Sequence, residues 1–151
     1  MAEPVVYEGL GTLPHFDDSP NVSQEVTALR TAIARADGVL ICTPEYAFGV
    51  PGSLKNAIDW TVSSGELVEK PLALITAASQ GESCHAALQK IFRAISAKTN
   101  ENTTLLIQFI RSKIDSDGYI KDQNTIDSIQ VLCNHFVSAI IEHVQAKAEV
   151  E

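Results

Sequence analysis

Val39-Leu40-Ile41-Cys42-Thr43 and, further on, Leu72-Ala73-Leu74-Ile75-Thr76 are two short runs that stay apolar until a closing threonine. A strand with one wet face alternates apolar and polar residues. An unbroken apolar run of this length is a strand covered on both faces, the habit of parallel sheets. Between the two, Leu54, Ala57 and Ile58 recur at helical spacing over residues 53–62, with Pro51 and Ser53 near the start.

The same pattern extends outward. Residues 103–109 form a third buried run, and Val5-Val6-Tyr7 predicts a short strand at 4–8. Ser23 stands as N-cap before Val26, Leu29 and Ile33, a helix that ends near Asp37-Gly38. Leu88, Ile91, Phe92 and Ile95 mark a helix over 84–98. Ile129, Leu132, Cys133, Phe136, Ile140 and Val144 mark the inward side of a long helix over 126–144. Strands and helices therefore alternate four times. The expected fold class is α/β, a mostly parallel sheet with helices on both faces.

Length and charge narrow the function. A chain of 151 residues, 45% hydrophobic and 20% charged, suits a single domain over 1–151. Eleven basic residues against nineteen acidic ones leave a net charge of −8. That balance opposes nucleic-acid binding, which needs clustered Lys and Arg. No apolar run reaches the roughly 18 residues of a membrane span. The first residues lack the basic start and apolar core of a signal peptide. Three scattered cysteines, Cys42, Cys84 and Cys133, form no C-x-x-C and no metal spacing, which points to a reducing cytoplasm.

In an open parallel sheet, ligands bind beyond the carboxyl ends of the strands. Two loops there stand out. The first is Thr43-Pro44-Glu45-Tyr46-Ala47-Phe48-Gly49-Val50-Pro51-Gly52-Ser53, stiffened by prolines and carrying two flat aromatic side chains. The second is Ala77-Ala78-Ser79-Gln80-Gly81-Glu82-Ser83, a low wall whose backbone amides can meet a polar ring edge. Together they outline a slot for a planar ligand, although each also reads as an ordinary tight connection.

The run Ile41-Cys42-Thr43-Pro44-Glu45-Tyr46, followed by Val50-Pro51-Gly52-Ser53-Leu54-Lys55-Asn56-Ala57-Ile58-Asp59-Trp60, closely resembles the NADPH-dependent FMN reductase family. That family carries TPEYN and then PG-x-LKNA-x-DW. Leu10-Gly11-Thr12-Leu13-Pro14-His15-Phe16 resembles its loop after the second strand, and Asp115-Ser116-Asp117-Gly118-Tyr119-Ile120 its turn before the last helix. The resemblance implies a flavodoxin-like three-layer sandwich and hydride transfer from NAD(P)H through FMN to a flavin, quinone or similar small-molecule acceptor. Pro44, Glu45, Tyr46 and Ala47 would lie along the isoalloxazine ring, and Ser79, Gln80 and Gly81 would meet its pyrimidine side. Lys55, Asn56 and Trp60 would be structural. No catalytic side chain and no metal are implied, and a homodimer or homotetramer is.

Two departures from the family pattern stand out. Position 47 is Ala where the family usually has Asn. The family also opens with a strand and a GS-x-R-x-x-S-type loop that cradles the FMN phosphate. Here the sequence starts almost at the second strand, so the first βα unit, about 30 residues, is expected to be missing. FMN would then be held weakly, and a non-catalytic flavodoxin-like remnant or assembly subunit is the alternative reading. Two smaller patterns carry ordinary roles. Asp115-x-Asp117-Gly118 lacks the glutamate that closes a calcium loop. Cys84-His85 points two adjacent side chains about 100 degrees apart on a helix, with no acid to orient the histidine.

Overall fold

The computed structural model describes residues 2–149. Its centre is a parallel three-stranded sheet in the order β1 (Val39–Thr43), β2 (Leu72–Ala77), β3 (Thr104–Ile107). Val39 sits opposite Leu72, and Leu74 opposite Thr104. The helices are α1 (Gln24–Arg35), α2 (Gly52–Val62), α3 (Glu82–Ala94), a short α4 (Ile110–Lys113) and a long α5 (Gln123–Ala148).

Strand pleating separates the two faces. Leu72 and Leu74 turn one way and pack with Leu54 and Ile58 of α2 and with Cys84, Leu88 and Phe92 of α3. Ala73 and Ile75 turn the other way, against Leu132 and Phe136 of α5. A third cluster joins Val26 and Leu29 of α1 to Ala57, Trp60 and Leu13. The three layers expected from the sequence are present.

Helix ends follow their chemistry. Ser23 Oγ accepts from the Val26 amide, as its position predicts. Asp122 caps α5 by accepting from both the amide and the hydroxyl of Thr125, so this helix starts before residue 126. It also runs past 144, and Val144 is exposed rather than inward. Helix α3 begins at Glu82 and stops at Ala94, short of 98. Ser96, at φ 57°, ends it: its amide donates to Arg93 O and the next amide, Ala97, to Phe92 O. This is the left-handed helix terminus that glycine usually marks, and serine gives no such warning in the sequence.

Two expectations are corrected. Residues 4–8 form no strand. Val5 and Val6 project into solvent, Tyr7 packs on the α1–α2 cluster, and no neighbouring strand offers a hydrogen-bond ladder. The next residues, Gly9–Thr12, make a 3-10 turn. Nor is β1 buried on both faces: Leu40 is 44% exposed, and Cys42 is exposed as well. Helix α5 packs over β2 and β3, and just before β1 it comes close at Gly38, where a side chain would meet Ile140 and Phe136. Strand β3 is also shorter than 103–109, because Thr103 belongs to a 3-10 turn capped by Asn100 and Phe109 leaves the extended conformation.

Candidate functional site

The loops leaving the carboxyl ends of β1, β2 and β3 meet at one edge of the sheet, and backbone hydrogen bonds lace them together. After β3, the Phe109 amide donates to Ser79 O at 3.2 Å and the Ile110 amide to Ala78 O at 3.2 Å. Below them, the Ala78 amide donates to Ile107 O at 3.0 Å. Gln108 Nε2 adds a bond of 2.6 Å to Glu82 Oε1.

The β1–α2 loop joins this unit through one side chain. Glu45 is half-buried, and its Oε1 accepts from the Gly81 amide at 3.1 Å while Oε2 accepts from the Cys84 amide at 2.9 Å. The return contact is Cys84 Sγ donating to Pro44 O at 3.5 Å. Gly81 precedes α3 in a left-handed conformation, φ 94°, and has no side chain with which to cap it. The glutamate supplies that cap from another element. A Cβ on Gly81 would lie 2.7 Å from Leu106 Cδ1, so glycine is needed here for both conformation and space.

At the tip of the first loop, Tyr46 and Gly49 exchange two backbone hydrogen bonds, of 3.1 and 2.9 Å. The two residues between them, Ala47 at φ 48° and Phe48 at φ 57°, are both left-handed. Such a two-residue turn favours Asn and Gly. Here it carries neither, and it holds Phe48 72% exposed beside an exposed Tyr46. Phe109 is the third exposed aromatic on this edge, 65% exposed and again left-handed at φ 54°. Left-handed residues with side chains carry strain, which collects where loops meet ligands.

The residues singled out from sequence are thus brought together in part. Glu45 and Gly81 touch directly. Tyr46 and Ala47 lie on the exposed turn, and Pro44, Ser79 and Gln80 are exposed beside the junction. The amides of Ser79 and Gln80 donate to no protein acceptor among the described residues. Two free donors next to a stiff aromatic loop match the needs of a planar ring with a polar edge, and in that respect the residues present fit a flavin ring. The Glu45 carboxylate is engaged within the protein, which leaves the backbone of its loop as the part open to a ligand. Phe109 was not anticipated, because it lies inside an apolar run that reads as strand. Only the pairing of β3 shows that the strand ends before it.

Further members of the family-like motif serve the scaffold. Trp60 Nε1 and Asn56 Nδ2 both donate to Pro14 O at 2.9 Å, and Asn56 Oδ1 accepts from the Phe16 amide at 2.8 Å. Phe16 meets Trp60 edge to face at 5.0 Å. Lys55 pairs with Asp59 on the surface of α2 at 2.7 Å, an exposed contact that adds little stability.

Cys84 and His85 are likewise committed. Burial, then the Glu45 carboxylate, pushes the Cys84 thiol up, so it stays protonated and donates to Pro44. His85 Nδ1 lies 2.9 Å from Thr76 Oγ1 and its Nε2 lies 3.3 Å from Gln89 Nε2. Burial lowers its pKa and favours the neutral ring. The Asp115 region is a turn in which Asp115 Oδ1 accepts from the Asp117 and Tyr119 amides. No group of three or more potential metal ligands occurs among the described residues. No helix there is long and apolar enough to cross a membrane.

Comparison with known proteins gives consistent relatives. The NADPH-dependent FMN reductase family model matches residues 3–111. The NADH-dependent flavin reductase subunit 2 of Lactobacillus johnsonii is 31% identical, with 93% of this chain and 82% of that protein covered. The quinone reductase of Escherichia coli is 36% identical, with 80% of this chain and 72% of that protein covered. The solved structure of FerB, a flavoenzyme NAD(P)H:(acceptor) oxidoreductase from Paracoccus denitrificans, superimposes with a TM-score of 0.71 at 28% identity. It covers 89% of this chain and 78% of FerB.

Proposed function

Because the chain belongs to the NADPH-dependent FMN reductase family, we propose that its two laced loops hold the isoalloxazine ring of FMN for an NAD(P)H-dependent reduction. The protein is an oxidoreductase of the flavin and quinone reductase kind, with FMN and NAD(P)H as its cofactors and a small molecule as acceptor. FMN held there would supply the redox chemistry, two-electron exchange between NAD(P)H and the acceptor. The residues of this chain bind and orient. Pro44, Glu45, Tyr46 and Ala47 lie along the ring, while Ser79, Gln80 and Gly81 face its pyrimidine edge. The free amides of Ser79 and Gln80 donate to that edge, and Tyr46 and Phe48 keep water from the ring. A quinone-like planar acceptor suits the same apolar, open approach.

The observation that carries this reading is the pair of free amides held beside the aromatic turn by Glu45. The relatives named as reductases favour this reading over a flavodoxin-like module without catalysis. Association into a homodimer or homotetramer belongs to the same proposal, since the outer edge of β1 pairs with no strand among the described residues and Leu40 lies bare beside it. A reducing cytoplasm suits the three free thiols.

The test is fluorescence titration with FMN and with riboflavin, followed by NAD(P)H oxidation in the presence of FMN and benzoquinone. Loops that recognise the ring quench both flavins. Quenching of neither refutes the proposal. Light scattering that finds only a folded species of one chain's mass refutes the association.

A further inference from the structure

We infer that Glu45 is a positioning residue: its carboxylate clasps the aromatic loop to the amide-bearing loop and fills the anion position at the start of α3. The inference rests on the flavin-slot reading for its consequence, but not for its geometry.

Loops 44–51 and 77–81 leave neighbouring strands, and apart from the Glu45 contacts and the single weak thiol bond from Cys84 to Pro44 O, no hydrogen bond joins them. A slot between two independent loops would lose order whenever either moved, and a ligand would have to restore it on binding. One side chain with both oxygens engaged removes that freedom before any ligand arrives. The partners are chosen for strength, since Gly81 and Cys84 offer amides at a helix N-terminus, where a carboxylate is favoured by the helix dipole.

The clasp also has an exclusive consequence. Open amides at the start of α3 would attract a phosphate. Here the chain's own carboxylate already satisfies the Gly81 and Cys84 amides. The amides of Ser79 and Gln80, one step earlier, stay free for a neutral ring edge. Glu45 thereby divides the second loop into a closed anionic part and an open part that hydrogen-bonds a ring.

Glu45→Gln tests this with little change of shape. Its amide group can accept only one of the two hydrogen bonds and presents a donor to the other amide. In flavin-free protein, amide exchange at Gly81 and Cys84 should quicken at least about tenfold relative to the wild type. Exchange at Leu74 in β2 should not change. Riboflavin and FMN should both weaken, by the same factor of about ten or more, with KM for flavin rising more than kcat falls. Glu45→Ala should lose the same properties and regain them in acetate, which can occupy the vacated position. Acetate should leave the wild type unaffected. Unchanged exchange at Gly81 and Cys84 in Glu45→Gln overturns the clasp, and so does loss of exchange protection that spreads equally to Leu74. Weakening of FMN alone, with riboflavin unaffected, overturns its role in the ring slot. A wild-type protein that binds no flavin refutes the flavin slot, while the exchange measurement still decides the clasp.

Discussion

Strands β1 and β2 are successive, similar in sequence, and placed side by side in the sheet, yet their surroundings differ. Leu74 in β2 has a strand on each side and helices above and below, and it is fully buried. Leu40 in β1 has one neighbouring strand among the described residues, and it is 44% exposed. The loops that follow repeat the contrast. After β2 the left-handed position is a glycine, required by the close approach of Leu106. After β1 the left-handed positions are Ala47 and Phe48, both of which carry side chains there. The β2 unit is built for packing, and the β1 unit gives up packing and backbone comfort to present an edge and an aromatic turn.

Several changes would break or sharpen this contrast. The largest effect belongs to the strands: Leu74→Ala should cost about 2–5 kcal/mol, as do other leucine truncations in closed cores. Leu40→Ala should cost less than about 1 kcal/mol, because its methyl groups already meet water. Urea unfolding of both variants checks this, and equal losses would mean that a partner covers β1 in solution. Next, Gly81→Ala should cost about 1–2 kcal/mol for the left-handed conformation alone, with the Leu106 contact adding to it. Riboflavin titration should weaken with it, since the Glu45 bond to the Gly81 amide is disturbed.

A smaller effect appears with pH. Burial holds His85 below its ordinary 6.5 in the folded protein, whereas the unfolded chain protonates it normally. Its contribution is therefore complete above about pH 6.5 and declines as the pH falls through the lower folded value. The slope of stability against pH just below 6.5 should flatten in His85→Asn. The residual slope belongs to His143, which is also lowered, first by burial and then by Lys147. The smallest effect is in the turn: Ala47→Asn should gain a few tenths of a kcal/mol, because asparagine tolerates the left-handed region better than alanine. A loss there would show that the turn is held by something other than its own backbone.

The letters of residues 39–43 and 72–76 were enough to place two strands of a parallel sheet with a helix between them, because continuous apolar runs bounded by turn residues have few other solutions. Ser23 and its following apolar series likewise placed the start of α1, since an N-cap acts over one turn. The motif from Pro44 to Trp60 carried the family. What the letters did not hold depends on neighbours distant in sequence. Val5-Val6-Tyr7 has strand-like residues, but a strand exists only where another backbone completes its ladder, and none lies beside it among the described residues. Ser96 ends α3 without a glycine, because Ala97 docking on the core stabilises the left-handed turn that serine would otherwise avoid. Leu40 and Leu74 are the same residue in like runs, separated in burial only by what packs around them. Glu45 is the clearest case at the site. The sequence placed it in the loop after β1 and said nothing of its carboxylate, because the amides of Gly81 and Cys84 reach it only after β1 and β2 pair.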